Sequence, residues 1–123
     1  MFKELQPMTK TASPKECLDV LRTHNVTDYN DYLLFNLTNK EELFYQNLAF
    51  LADEDIWTKE ELTDKVLVAQ TIDNDYLLAN DTTVLVIPYS LNKHDSETFT
   101  STLWDFLIQL EEKTLSSTIL SVN

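Results

Sequence analysis

The chain has 123 residues, 43% of them hydrophobic and 11% aromatic, which is enough apolar surface for one core and too much for global disorder. Its formal net charge of −12 disfavours direct contact with nucleic acid or anionic membranes, and it either favours basic partners or only keeps a small protein soluble. Glycine is absent, so phosphate-cradling loops, dinucleotide fingerprints and nucleophile elbows are excluded in their usual forms.

In chain order, Ser13-Pro14-Lys15-Glu16 is a helix start. Ser13 can cap free amides, Pro14 suits the first turn and Glu16 can reach back to complete a capping box. A helix is expected from Pro14 to about His24, with Cys17, Leu18, Val20 and Leu21 mostly on one face. After a break at Asn25 to Thr27, the residues Tyr29, Tyr32, Leu33 and Phe35 to Leu37 read as a second, short helix. Lys40 to Leu51 fits a helix or a strand, and a loop leading to a strand near Leu48 to Ala52 is favoured. Asp53 or Asp55 is then expected to cap a short helical turn through Ile56, Trp57 and Glu60 to Leu62.

The runs Val66 to Ile72, Tyr76 to Ala79 and Thr83 to Ile87 are rich in β-formers and are separated by Asp73-Asn74-Asp75 and Asn80-Asp81-Thr82. This pattern predicts a three-stranded antiparallel meander, ended by Pro88, which has no amide to donate to a ladder. A helix capped by Asp95 or Ser96 is expected to continue to about Lys113, with Phe99, Leu103, Phe106, Leu107 and Leu110 on one face. The tail Leu115 to Val122 can add an edge strand, a short helix or nothing ordered. These elements form one α+β domain over residues 1–123, an antiparallel β meander with helices packed on one side. Without glycine, left-handed turn positions fall to Asn and Asp, which occur paired at Asn30-Asp31, Asn74-Asp75 and Asn80-Asp81.

No apolar run approaches the roughly 18 to 20 residues that cross a bilayer, and Met1 to Lys10 has no signal-like stretch, so a cytoplasmic protein is expected. The single cysteine, Cys17, reads as a buried small hydrophobe. Between Asp28 and Asp81 thirteen acidic residues face only Lys40, Lys59 and Lys65, a net of −10. Asp53-Glu54-Asp55 and Asp73-Asn74-Asp75 resemble fragments of a cation site. Neither completes a calcium loop, and they read as a helix start and a hairpin turn, so no metal is expected. His24 and His94 lie in predicted breaks without metal-ligand spacing, and no catalytic residue is expected. Trp104 reads as core at the edge of an apolar face, whereas Trp57, set among acids, is equally at home in a core or on a binding face.

The succession Leu67-Val68-Ala69-Gln70-Thr71, Asn74-Asp75-Tyr76-Leu77-Leu78, Val84-Leu85-Val86-Ile87-Pro88 and Phe99 to Leu110 resembles the SUKH superfamily, as does the upstream Asp53-Glu54-Asp55-Ile56-Trp57. That superfamily unites bacterial toxin-immunity proteins with a fungal regulator of cell-wall synthesis; Asn74 stands where it usually has glycine. The resemblance, over roughly residues 48–110, implies an α+β fold, no cofactor and function through protein binding, for bacterial members by neutralising a toxin that is often a nuclease. A basic, nuclease-type toxin domain is therefore the expected partner, met by Asp53, Glu54, Asp55, Trp57, Asp73 and Asp75. The alternatives are a regulatory or housekeeping adaptor of the same fold, or a phage-type acidic mimic of nucleic acid.

Overall fold

A computed structural model describes residues 1–35 and 39–120. They form helices α1 (Phe2–Leu5), α2 (Pro14–Thr23), α3 (Lys40–Leu51) and α4 (Leu103–Glu111). The strands are β1 (Asp28–Tyr29), β2 (Leu33–Leu34), β3 (Val66–Thr71), β4 (Tyr76–Ala79), β5 (Val84–Ile87) and β6 (Glu97–Phe99). All six strands make one antiparallel sheet in sequence order, so the expected α+β meander is present but twice as wide as the three strands read from the sequence.

Helices cover both faces of this sheet, not one. On the first face Leu77 and Ala79 of β4 and Val84 and Val86 of β5 pack with Phe2, Cys17, Leu21, Leu103, Phe106 and Leu107, from α1, α2 and α4. On the second face the alternate residues Leu78, Leu85 and Ile87 pack with Phe44 and Leu48 of α3, Leu62 and Leu91. Successive strand residues point to opposite faces, so a strand covered on both sides has every residue buried. The unbroken Val84–Ile87 run is that case, since all four of its residues are buried. A register shift between Leu67 and Ala69 marks a bulge in β3.

The predicted start of α2 is present, because the Ser13 hydroxyl accepts the Glu16 amide and Pro14 occupies the first turn. The capping box is displaced: the Glu16 carboxylate accepts from the amides of Lys10 and Thr11 and from the Thr11 hydroxyl, and Thr11 in turn accepts the Ser13 amide. Those bonds hold the Glu16 carboxyl below its usual range, with the Lys10 amide as the main cause, against some burial.

The second short helix is instead the β1–β2 hairpin. Asn30 and Asp31 have φ of 55° and 53°, consecutive left-handed residues that no α-helix accepts and a tight hairpin turn requires. The Tyr32 amide closes the turn on the Tyr29 carbonyl. The part of that reading at Leu37 lies outside the described residues. The strand favoured near Leu48 to Ala52 is the C-terminal half of α3, which ends at a left-handed Ala52 whose amide reaches the Leu48 carbonyl.

The C-terminal helix starts later than expected, at Leu103, because Thr102 and not Asp95 or Ser96 caps it by accepting the Asp105 amide. Phe99, counted to that helix by its spacing, lies in β6 and meets Phe106 edge-on at 5.2 Å. The run of Ser and Thr from Thr98 to Thr102 favours extended backbone and a cap over a helix interior. Trp104 is core as expected, with its indole N–H donating to Thr9 Oγ1 at 2.9 Å. Cys17 is buried, which pushes its thiol up to about 12 and leaves it unreactive.

The tail as far as Leu120 forms no regular element, but Glu97 of β6 ties it to the sheet edge. Its carboxylate accepts from the Ser117 hydroxyl, the Thr118 amide at 2.9 Å and the Thr118 hydroxyl at 3.0 Å. Burial pushes the Glu97 carboxyl up, and these bonds outweigh burial and hold it below 4.5. A carboxylate with a depressed folded-state pKa contributes stability above its unfolded value and loses it as pH falls through the folded one. Acidification below pH 4.5 is therefore expected to lower the protection of the Thr118 amide relative to its intrinsic exchange rate, and Glu97→Gln should remove that pH dependence. Hydrogen exchange followed by NMR checks it, and a Thr118 amide equally protected at pH 3 and pH 6 would rule the clamp out.

Candidate functional site

The layer over the second face carries half of the net charge. Between Asn39 and Asp64 eight acidic residues stand against Lys40 and Lys59, a net of −6. Over the first face, residues 1–24 and 103–113 carry six acids against five bases, a net of −1. The acids of the second layer are all exposed. They are Glu41 and Glu42 in the first turn of α3, Asp53, Glu54 and Asp55 just beyond its last turn, and Glu60, Glu61 and Asp64 around a 3-10 turn at Glu60–Leu62.

The loop after α3 is held by backbone. Ile56 bridges Asn92, the Lys93 amide donates to the Asp55 carbonyl at 2.8 Å, and the Trp57 amide reaches the Leu91 carbonyl at 3.4 Å. Trp57 is half-buried, and its indole N–H donates to Ser96 Oγ at 2.9 Å while that hydroxyl donates to the Asn92 carbonyl at 2.8 Å. It therefore staples the acidic loop to the Leu91–Ser96 segment and leaves part of the ring facing outward. Asp53 uses one carboxylate oxygen to accept the Asp55 amide, whereas Asp53 and Asp55 do not cap the 3-10 turn. Thr58 and Glu61 do that reciprocally, since Thr58 N–H donates to Glu61 Oε1 at 3.0 Å and Glu61 N–H to Thr58 Oγ1 at 3.3 Å. Lys93 Nζ lies 3.0 Å from the same Glu61 carboxylate and is the main cause that holds it below its usual range.

Of the six residues expected to meet a partner, Asp53, Glu54, Asp55 and Trp57 thus share one loop on the acidic layer. Asp73 is exposed in the β3–β4 turn, at the end of the sheet. Asp75 does not belong with them, because it is only 6% exposed and its carboxylate is spent inside the fold. Its Oδ1 accepts the Tyr89 amide at 3.0 Å and its Oδ2 the Thr71 hydroxyl at 3.1 Å. Asp75 therefore joins the β3–β4 turn to the chain leaving β5. Asn74 takes the left-handed turn position (φ 69°) that glycine would otherwise fill.

Sequence reading missed the apolar part of this layer. Leu43, Phe50 and Leu51 of α3 are 56%, 86% and 47% exposed, beside the buried Phe44 and Leu48. The available signal was the excess of apolar residues in Lys40–Leu51, more than a single buried face accommodates.

His94 lies 3.4 Å from Asp55 Oδ1, with both side chains exposed. Neither neighbouring serine bonds to it: Ser96 Oγ is held by Trp57 and Asn92, and Ser90 Oγ accepts the Asn92 amide. His24 Nδ1 is 3.0 Å from the Val20 carbonyl at the end of α2. Among the described residues no three His, Cys, Asp or Glu side chains are grouped to hold a metal ion, and no helix is long and apolar enough to cross a membrane. Comparison with known proteins found no matching family model, no matching curated protein and no matching solved structure.

Proposed function

We propose that the chain is a non-catalytic protein-binding domain whose acidic second-face layer receives a positively charged protein. The resemblance of its strand-turn-strand-helix succession to the SUKH superfamily makes an immunity role against a basic, nuclease-type toxin the favoured form of that reading. The observation that carries it is the unequal charge of the two layers, −6 against −1. A charged surface of this kind steers a complementary partner and repels a like-charged one, and its effect on association weakens as salt rises.

The test is co-expression with the product of the neighbouring open reading frame, followed by pull-down at low and high salt. Retention at low salt that weakens at high salt is expected, and no retention under either condition argues against the reading. Glu54→Lys with Asp55→Lys reverses two exposed charges while sparing Asp53, whose carboxylate holds the loop. This double variant should weaken the complex at least about tenfold at low salt, through charge repulsion at the interface. Glu112→Lys, over the first face, should leave it within about twofold, as expected for a charge far from the contact. Calorimetric titration of the purified pair measures both, and equal losses from the two variants would show that charge acts without a defined surface.

A further inference from the structure

Resting on the reading above, we infer that Leu43, Phe50 and Leu51 form the apolar centre of the docking surface, and that they receive the apolar stripe of a basic amphipathic helix on the partner. The three residues stand at i, i+7 and i+8 in α3, so they line one side of the helix over two turns, roughly 12 Å. Phe44 and Leu48 already anchor α3 to the sheet, and Phe50, at 86% exposure, adds nothing to the fold by packing. Neighbouring large apolar side chains exposed on one element mark an interaction surface.

The charges around the stripe select its occupant. Glu41 and Glu42 lie at one end of α3, and Asp53, Glu54 and Asp55 follow the other. Among the described residues, Glu41, Glu42, Asp53 and Glu54 make no ion pair, whereas Lys93 is taken by Glu61 and Lys59 sits over the Tyr45 ring at 5.5 Å. Both ends of the stripe are thus acidic. Two copies of α3 packed together, parallel or antiparallel, bring carboxylates against carboxylates, and an anionic lipid surface meets the same repulsion. A helix with lysine or arginine on both sides of a leucine stripe satisfies the apolar centre and both acidic ends at once, in the helix-on-groove manner of peptide recognition.

Three synthetic peptides probe this: an amphipathic helix with a leucine stripe flanked by lysine and arginine, its twin with glutamate for every basic residue, and a scrambled basic peptide of equal charge. Each is titrated calorimetrically into the full chain and into Phe50→Ser, whose melting curve should match the parent. The basic amphipathic peptide is expected to bind the parent at least about tenfold more tightly than Phe50→Ser, the loss expected for an aromatic anchor at an interface centre. The acidic twin should not bind, and the scrambled peptide should bind both proteins weakly and alike. Equal affinity of parent and variant, no binding of the basic amphipathic peptide, binding of the acidic twin, or a parent dimer dissolved by Phe50→Ser would each overturn the inference. If the neighbouring gene product is retained equally by the parent and Phe50→Ser, the stripe falls and the protein-binding reading stands. If the peptide discriminates as expected but that product is not retained, the stripe stands and the proposed partner falls.

Discussion

Phe44→Ala is expected to destabilise the protein by about 3–5 kcal/mol, the range for removing a fully buried phenylalanine side chain. Phe44 is 1% exposed, and its ring meets Tyr76 of β4 at 4.6 Å and Tyr45 at 5.2 Å between centroids. Together with Leu48 it is the attachment of α3 to Leu67, Leu78, Leu85 and Ile87. The cavity left by alanine cannot collapse easily, because the sheet beneath it is held from its other face by α1, α2 and α4. Phe50→Ser in the same helix should change stability by less than about 0.5 kcal/mol, as exposed substitutions do. Urea denaturation followed by circular dichroism measures both. Comparable losses from the two variants would mean that α3 presents a different face to the sheet, and the docking surface would have to be abandoned with it. Phe44→Ala should also weaken partner capture, since the acidic residues at both ends of α3 depend on its seat.

The middle strands and their turns were legible from the sequence because each rests on local chemistry. β-Branched and leucine runs gave β3, β4 and β5, and Asn74 and Pro88 marked where they turn and stop. The elements misread are those whose periodicity fits two structures. Tyr29, Tyr32 and Leu33 satisfy helical spacing as well as a hairpin, and only the left-handed pair Asn30-Asp31 decides between them. Phe99 sits four residues before Leu103, so β6 was absorbed into α4 by a spacing coincidence. In Lys40–Leu51 the outward Leu43 and Phe50 blur the amphipathic signal, so a surface feature obscured the helix that carries it.

The candidate site was legible as composition and not as geometry. Crowding of acids between Asp28 and Asp81 is visible in the sequence, but which of them share a layer depends on α3 folding over the second face. Asp55 and Asp75 look alike in sequence, each an acid in a polar turn. The difference arises from contacts with one later segment: Asp55 meets Lys93 through its backbone and keeps its carboxylate outside, whereas Asp75 turns its carboxylate inward to the Tyr89 amide. No local pattern encodes that choice.

Asp75→Ala should cost about 2–3 kcal/mol, because it leaves the buried Thr71 hydroxyl and the Tyr89 amide without their acceptor. Asp75→Asn keeps an oxygen for the Tyr89 amide, removes a buried charge and should stay within about 1 kcal/mol of the parent near neutral pH. Burial pushes the Asp75 carboxyl above its usual 3.8, and Asp73 adds to the rise, against the opposing bonds from Tyr89 and Thr71. A carboxyl raised on folding holds its proton more firmly in the folded state, so its contribution to stability declines as pH rises from 3.8 through the folded value and is level above it. Glu16, Glu61, Asp64 and Glu97 are shifted the other way and mask this in the parent's own profile. The difference between parent and Asp75→Asn isolates it: the parent should lose stability relative to the variant as pH rises from 3.8, and a flat difference would mean that the carboxyl is not desolvated. The same variant separates structural from binding acids. If Asp75 serves only the fold, Asp75→Asn retains the partner that Glu54→Lys with Asp55→Lys releases, and a matching loss from Asp75→Asn would return Asp75 to the interface.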